Sequence, residues 1–238
     1  MRNVMILTRR ELSSYFVSAI AYVAMALFLA SSGLVFALTD FSSGAPAQLR
    51  TVTQWNTIIL AFILPILTMR SLSEEYRTGT IETLMTAPVT DITVVIGKWL
   101  GCWLMYLVIL APTLLYVVIL RVFGHPDLGP ILSSYIGLAL IGALYVAIGI
   151  LYSSVTRNQV VAAALGIVTL ITMSFLAGLI ASNLRPPWRT VVQYGSVQPH
   201  YTDFSLGVVD IVHVIYFVVL TAYVLFFTVK ILESRRWR

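Results

Sequence analysis

Residues 99–120 read WLGCWLMYLVILAPTLLYVVIL, a run from Trp99 to Leu120 with no charged side chain. A helix of that length crosses a hydrocarbon layer of about 30 Å. Pro112 removes one backbone hydrogen bond in the middle, an interruption that membrane helices tolerate. Working outward, comparable runs cover 18–38, 52–69 (with Pro65, predicting a kink near Ala61), 131–152, 160–181 and 211–229. The chain is 59% hydrophobic and 11% charged, where a soluble domain carries about 25% charge. The sequence therefore predicts an all-α polytopic membrane protein with six transmembrane helices, in a single domain over 1–238.

The first run is longer than a secretory signal core and is followed by others, so it reads as an uncleaved span. Before it, residues 1–16 mix Val4, Ile6, Leu7 and Leu12 with Arg9, Arg10 and Glu11. That weak amphipathic pattern predicts a helix along the membrane interface. Six spans with an inside start put 11 Lys and Arg in inner loops and tails (Arg2, Arg9, Arg10, Arg70, Arg77, Lys98, Arg157, Lys230, Arg235, Arg236, Arg238) and four outside (Arg50, Arg121, Arg185, Arg189). This bias predicts cytoplasmic N and C termini. The formal net charge of +5 sits at span ends rather than on one face, which favours the lipid bilayer as partner and excludes nucleic acid.

Chemistry is sparse. No glycine-rich phosphate loop ending in Lys-Ser or Lys-Thr occurs. His125, His200 and His213 are not spaced as a metal site and read as interfacial polar residues; His213 lies beside Asp210. Cys102, the one cysteine, lies inside a span and reads as a packing residue. The span cores hold almost no ionisable residue, which argues against an ion-coupled carrier. No catalytic, cofactor-binding or metal-binding residue is expected.

Attention falls on the inner loop, 70–98. Ser71 and Glu74 have capping-box spacing. Gly79 offers a break, Thr80 can cap a short helix carrying Ile81, Glu82, Leu84 and Met85, and Pro88 ends it at Ala87. Asp91 can cap the approach to the third span. A surface-lying helix between two spans can receive a push from a cytosolic partner, although an ordinary charged loop has the same residue types. Small residues four apart, Gly97 with Gly101, Ser174 with Gly178 and Ala177 with Ala181, permit close helix packing. The loop 182–210, with Trp188, Tyr194 and Tyr201, reads as a re-entrant element or an aromatic belt.

Taken together, Glu74 or Glu75, Gly79-Thr80, Ile81-Glu82-Thr83-Leu84-Met85, Pro88-Val89 and Gly97-Lys98 resemble the first cytoplasmic loop of ABC-2 type permease subunits. Glu11-Leu12 with Tyr15-Phe16, and Phe204 to Asp210 with Leu232-Glu233 and Arg235-Arg236-Trp237, resemble the gliding-motility type of short permease. The resemblance implies the transmembrane subunit of an ATP-driven exporter in the bacterial cytoplasmic membrane. It implies a second permease subunit, identical or not, and an ATP-binding cassette subunit that holds ATP and Mg. Glu74, Glu75, Arg77, Gly79, Thr80, Glu82, Leu84 and Pro88 would couple to that subunit, through a coupling helix from about Gly79 to Met85. The alternative reading is a membrane anchor or mechanical transmitter moved by an ATPase. The cargo is not implied.

Overall fold

The computed structural model describes residues 2–41, 48–80 and 90–236. Its elements are helices in the order α1 (Arg2–Phe16), α2 (Ala19–Leu38), α3 (Arg50–Thr68), α4 (Arg70–Thr78), α5 (Asp91–Leu110), a 3-10 turn (Ala111–Thr113), α6 (Leu114–Phe123), α7 (Leu128–Val155), α8 (Gln159–Ile171), a π-helical turn (Thr172–Leu176), α9 (Ala177–Asn183), α10 (Trp188–Gly195), α11 (Val197–Ser205) and α12 (Ile211–Arg236). Among the described residues there is no strand. Six stretches are long and apolar enough to cross a membrane: 19–38, 50–78, 91–123, 128–155, 159–183 and 211–235.

The pattern of burial explains why charge is so scarce. α7 is the central helix, packed by α3, α5, α8, α11 and α12. It is the most enclosed of the spans, while α2 and α12 turn most of their apolar surface outward. An apolar exterior is what a lipid-facing helix needs, since every backbone polar group is already paired within it. Glycines set the closest approaches. A Cβ at Gly142 of α7 would come 1.9 Å from Cε1 of the Tyr106 ring of α5, and one at Gly149 would come 2.0 Å from Oγ1 of Thr68 of α3. Three donors on successive turns of α5 reinforce the first contact: Trp99 Nε1 to Ala143 O (2.9 Å), Trp103 Nε1 to Ala139 O (3.0 Å) and the Tyr106 hydroxyl to Leu138 O (2.8 Å).

Three local expectations are corrected. The third span begins at Asp91, not Trp99, and its cap is the Thr90 hydroxyl, which accepts from Thr93 N at 3.3 Å; Asp91 is instead the acidic residue of the first turn. Pro112 sits in a single 3-10 turn joining α5 to α6. Ser71 and Glu74 form no capping box, because Met69 is helical (φ −54°, ψ −31°) and α4 continues α3, leaving no free helix start to cap.

Candidate functional site: the junction of α1, α4 and α5

α1 does more than lie against the bundle. It crosses α5 where Gly97 and Gly101 leave room: a Cβ there would come 2.8 Å from Leu7 Cβ and 2.7 Å from Glu11 Cβ, respectively. The predicted small pair is therefore an internal packing device. Thr8 bonds to Gly97 O (3.3 Å), and the buried Tyr15 hydroxyl meets Leu67 O (3.3 Å) and Cys102 Sγ (3.0 Å). Burial raises the Tyr15 phenol well above its ordinary value, so it stays protonated and available as a donor.

This crossing brings Glu11 to Lys98, which is 5% exposed. The Lys98 ammonium has three donors and three acceptors around it: Glu11 Oε2 at 3.2 Å, Glu75 Oε1 at 2.8 Å and Ser71 O at 2.7 Å. One residue on each of α1 and α4 thus shares a single cation from α5. Glu75 Oε2 is buried without a hydrogen-bond partner among the described residues. Glu74 pairs instead with Arg70 (2.9 Å), whose Nη1 also reaches Ser18 Oγ at 2.7 Å. These groups line a cleft of about 230 Å³ that also holds Arg10, Thr78 and Thr80.

At the base of α4 a fourth element enters. Ser153 of α7 accepts from Leu72 N (2.9 Å) and Ser73 N (3.0 Å) and donates to Met69 O (2.9 Å). Its hydroxyl is inserted into the backbone ladder where α3 passes into α4. The far end of α4 stops at Gly79, whose φ of +76° is left-handed. The predicted break is present and has the backbone that glycine supplies without steric cost. Arg77 is exposed in the last turn, and the Thr78 and Thr80 hydroxyls are 3.0 Å apart. Glu82, Leu84 and Pro88, and most of the predicted coupling helix, lie outside the described residues. Arg235 near the end of α12 lies 4.6 Å above the Tyr76 ring and bonds to Val155 O, so the chain's end joins this same face.

The sequence reading took Lys98 as an inner-loop charge and as part of the Gly97-Lys98 block, and gave Glu11 no partner. Nothing in the spacing of Glu11, Glu75 and Lys98 announces their meeting. The one available signal is a lysine eight residues into a helix that starts at Asp91, since a lysine so placed needs counter-charges.

A sequence profile of the ABC-2 family transporter proteins matches residues 10–231. The chain belongs to that family. The match takes in every residue of the Lys98 network, the first five spans whole and the sixth as far as residue 231. A search of curated proteins finds no significant match. As an ABC-2 family member the chain is the membrane-spanning component of an ABC transporter rather than its ATPase, and such permeases normally work with an ATP-binding subunit.

At the opposite end, α10 and α11 fill the 182–210 loop. α10 buries none of its residues. α11 wedges between α3 and α7, with Val197, Tyr201 and Phe204 fully buried. Gln54 bonds to Ser205 (3.2 Å), Thr57 to Gln198 (3.3 Å) and Ser133 to Phe204 O (2.6 Å). α11 is inserted among the spans, and α10 carries the exposed aromatic residues Trp188 and Tyr194. His200 and His213, expected as separate interfacial residues, touch each other, and His213 pairs with Asp203 rather than Asp210.

Proposed function

We propose that this ABC-2 permease is the transmembrane half of an ATP-driven exporter, working as a pair of permeases over separate ATP-binding subunits. The α1, α4 and α5 junction is its receiving element. The observation that carries this reading is the single cation, Lys98, shared by Glu11 and Glu75 at the end of the 79–98 segment. A push on that segment acts on α1 and α4 together, because a carboxylate from each is held on the one ammonium. From α4 the displacement reaches α7 through Ser153, and α7 touches most of the bundle.

In this reading α1, α4 and both termini face the cytoplasm of a bacterial cell, as the Lys and Arg bias favours. Residues 79–85 serve as the coupling segment, and Glu74, Arg77, Thr80, Glu82, Leu84 and Pro88 shape its seat on the ATPase. The resemblance of the sequence blocks at both ends supports the gliding-motility type of short permease. Reconstituting the permease with its ATP-binding subunit in vesicles tests this. Glu75→Gln and Glu11→Gln are expected to leave the complex assembled while lowering ATP-driven accumulation of cargo. Full ATP hydrolysis coupled to no solute movement, in the unaltered protein, would instead identify a mechanical transmitter.

A further inference from the structure

At the end of the molecule away from Lys98, three titratable side chains form a chain of contacts that export does not require. His200 Nε2 lies 3.1 Å from Tyr194 O, His200 Nδ1 lies 2.8 Å from His213 Nδ1, and His213 Nε2 lies 2.7 Å from Asp203 Oδ2. Protons can be counted from the partners. A carbonyl only accepts, so His200 Nε2 carries hydrogen. Two facing imidazole nitrogens at hydrogen-bond distance need one proton between them, and a nitrogen facing a carboxylate oxygen needs another. That makes three protons, whereas two neutral imidazoles and an ionised carboxylate hold two.

We propose that His200, His213 and Asp203 form a proton-operated latch that closes α10 and α11 against the start of α12 while the three share that extra proton. The latch spans three elements: Tyr194 ends α10, His200 and Asp203 lie on α11, and His213 opens α12. Tyr216 of α12 braces it, stacking on the His200 ring at 3.9 Å between centroids and donating to Gly195 O at 3.2 Å. Asp210, which precedes α12, is committed to the helix start, accepting from Val212 N at 2.9 Å. An open cavity of about 420 Å³, walled by Thr190, Gln193 and Pro199 as well as the three titratable groups, gives water access for proton exchange.

Geometry separates a proton from a metal here. Two nitrogens bound to one tetrahedral zinc at 2.0–2.1 Å stand about 3.3–3.4 Å apart. The observed 2.8 Å is a hydrogen bond's length.

Closure then has two edges. Loss of the shared proton on the alkaline side sets two lone pairs facing each other, so the contact turns repulsive. A second imidazole proton on the acid side sets two N–H groups facing each other. Burial lowers the His200 value from its ordinary 6.5, which moves the acid edge below that pH. For a group with a lowered folded value, stability is present above the ordinary value and declines as pH falls toward the folded one. The extra proton works in the opposite sense, favouring closure at lower pH and losing it as pH rises. The latch is therefore closed in a window and open on both sides.

The test uses the full chain in nanodiscs, carrying no histidine tag and labelled with ¹⁵N-histidine. The chain has three histidines, so His125→Gln leaves only the pair. Inside the window the expected spectrum has one neutral imidazole protonated at Nε2 and one imidazolium. Above the alkaline edge, protection of 190–205 from hydrogen exchange, corrected for intrinsic rates, is expected to fall about tenfold per pH unit. His213→Gln should abolish that pH dependence. Two neutral imidazoles titrating independently would overturn the proposal, as would spectra that change with EDTA or a pH response that survives His213→Gln. Should His213→Gln fail to accumulate, the spectrum of the His125→Gln protein decides alone.

Discussion

Lys98 Nζ and Glu11 Oε2 stand 3.2 Å apart across 87 residues of chain, with Glu75 Oε1 2.8 Å from the same nitrogen. A cation enclosed this fully is worth more to its neighbours than to itself. Removing it leaves two half-buried carboxylates facing each other without a counter-charge between them. Lys98→Met is expected to destabilise the permease by about 3–5 kcal/mol, the usual cost of breaking a buried ion pair. The drop should appear as an earlier thermal transition of the detergent-purified protein. Glu11→Gln should cost less, because Glu75 still neutralises Lys98. Equal melting of Lys98→Met and the unaltered chain would remove the junction's claim to stability.

At Gly79 the backbone, not space, is the constraint. The φ is +76°, yet nothing lies within 4 Å of where a Cβ would sit. Gly79→Val should therefore insert and accumulate normally while straining the α4 exit by about 1–3 kcal/mol. Lower permease-stimulated ATP hydrolysis is the expected readout. Gly79→Ala carries part of the same strain because φ is positive, and Gly79→Asn should be the mildest of the three. Normal stimulation in Gly79→Val would show that the position needs no left-handed residue.

Packing inside the bundle gives a sharper contrast. Gly142→Ala drives a methyl group against the edge of the Tyr106 ring, while Gly178→Ala meets nothing within 4 Å. The first should cost about 1–3 kcal/mol as overpacking, and the second should be neutral. Thermal denaturation of both variants checks this. A companion Tyr106→Leu should restore part of the loss in Gly142→Ala, which a backbone effect of alanine would not allow.

Asp40 supplies a pH dependence with a definite sign. Its carboxylate accepts from Val52 N at 2.9 Å, joining the end of α2 to the start of α3. Burial outweighs that bond and raises its value above the ordinary 3.8. The folded protein thus holds this proton more tightly than the unfolded chain. Stability from this group is present below 3.8 and is lost as pH rises through the higher folded value. Asp40→Asn keeps an acceptor for Val52 and should flatten that part of the profile. An unchanged slope in melting temperature against pH would assign it to another group.

Orientation is open to direct measurement. Thr78 and Thr190 are both exposed and lie near opposite ends of the bundle. In a Cys102→Ala background, a cysteine at Thr190 should react with an impermeant reagent added to intact cells. One at Thr78 should react only after lysis. Labelling of Thr78 from outside would reverse the proposed topology.

The spans were legible because apolar length is a one-dimensional property, and a membrane imposes it directly on the sequence. Gly79 was legible for a similar reason, since a glycine break at the end of a polar helical stretch leaves a local mark. The Lys98 junction was not, because Glu11, Glu75 and Lys98 meet only after α1 crosses α5 at Gly97 and Gly101. The histidine pair escaped notice likewise: thirteen residues and a turn separate His200 from His213. The capping box at Ser71 failed instructively. Its spacing is correct, but caps serve helix starts, and the chain arrives at Ser71 already helical.

The Ser153 hydroxyl set into the α3–α4 passage has a mechanical consequence. Below that joint α3 is enclosed by its neighbours; beyond it α4 runs nine residues to Gly79. At about 1.5 Å per residue this is an arm of roughly 13 Å, so a 10° swing about the joint carries its tip through roughly 2.3 Å. In the other direction, a displacement of that size at Gly79 arrives at Ser153 as a small rotation with a proportionately larger force. The arm acts as a reducing gear: it takes long, weak travel at the surface and delivers short, strong movement to the helix at the centre of the bundle.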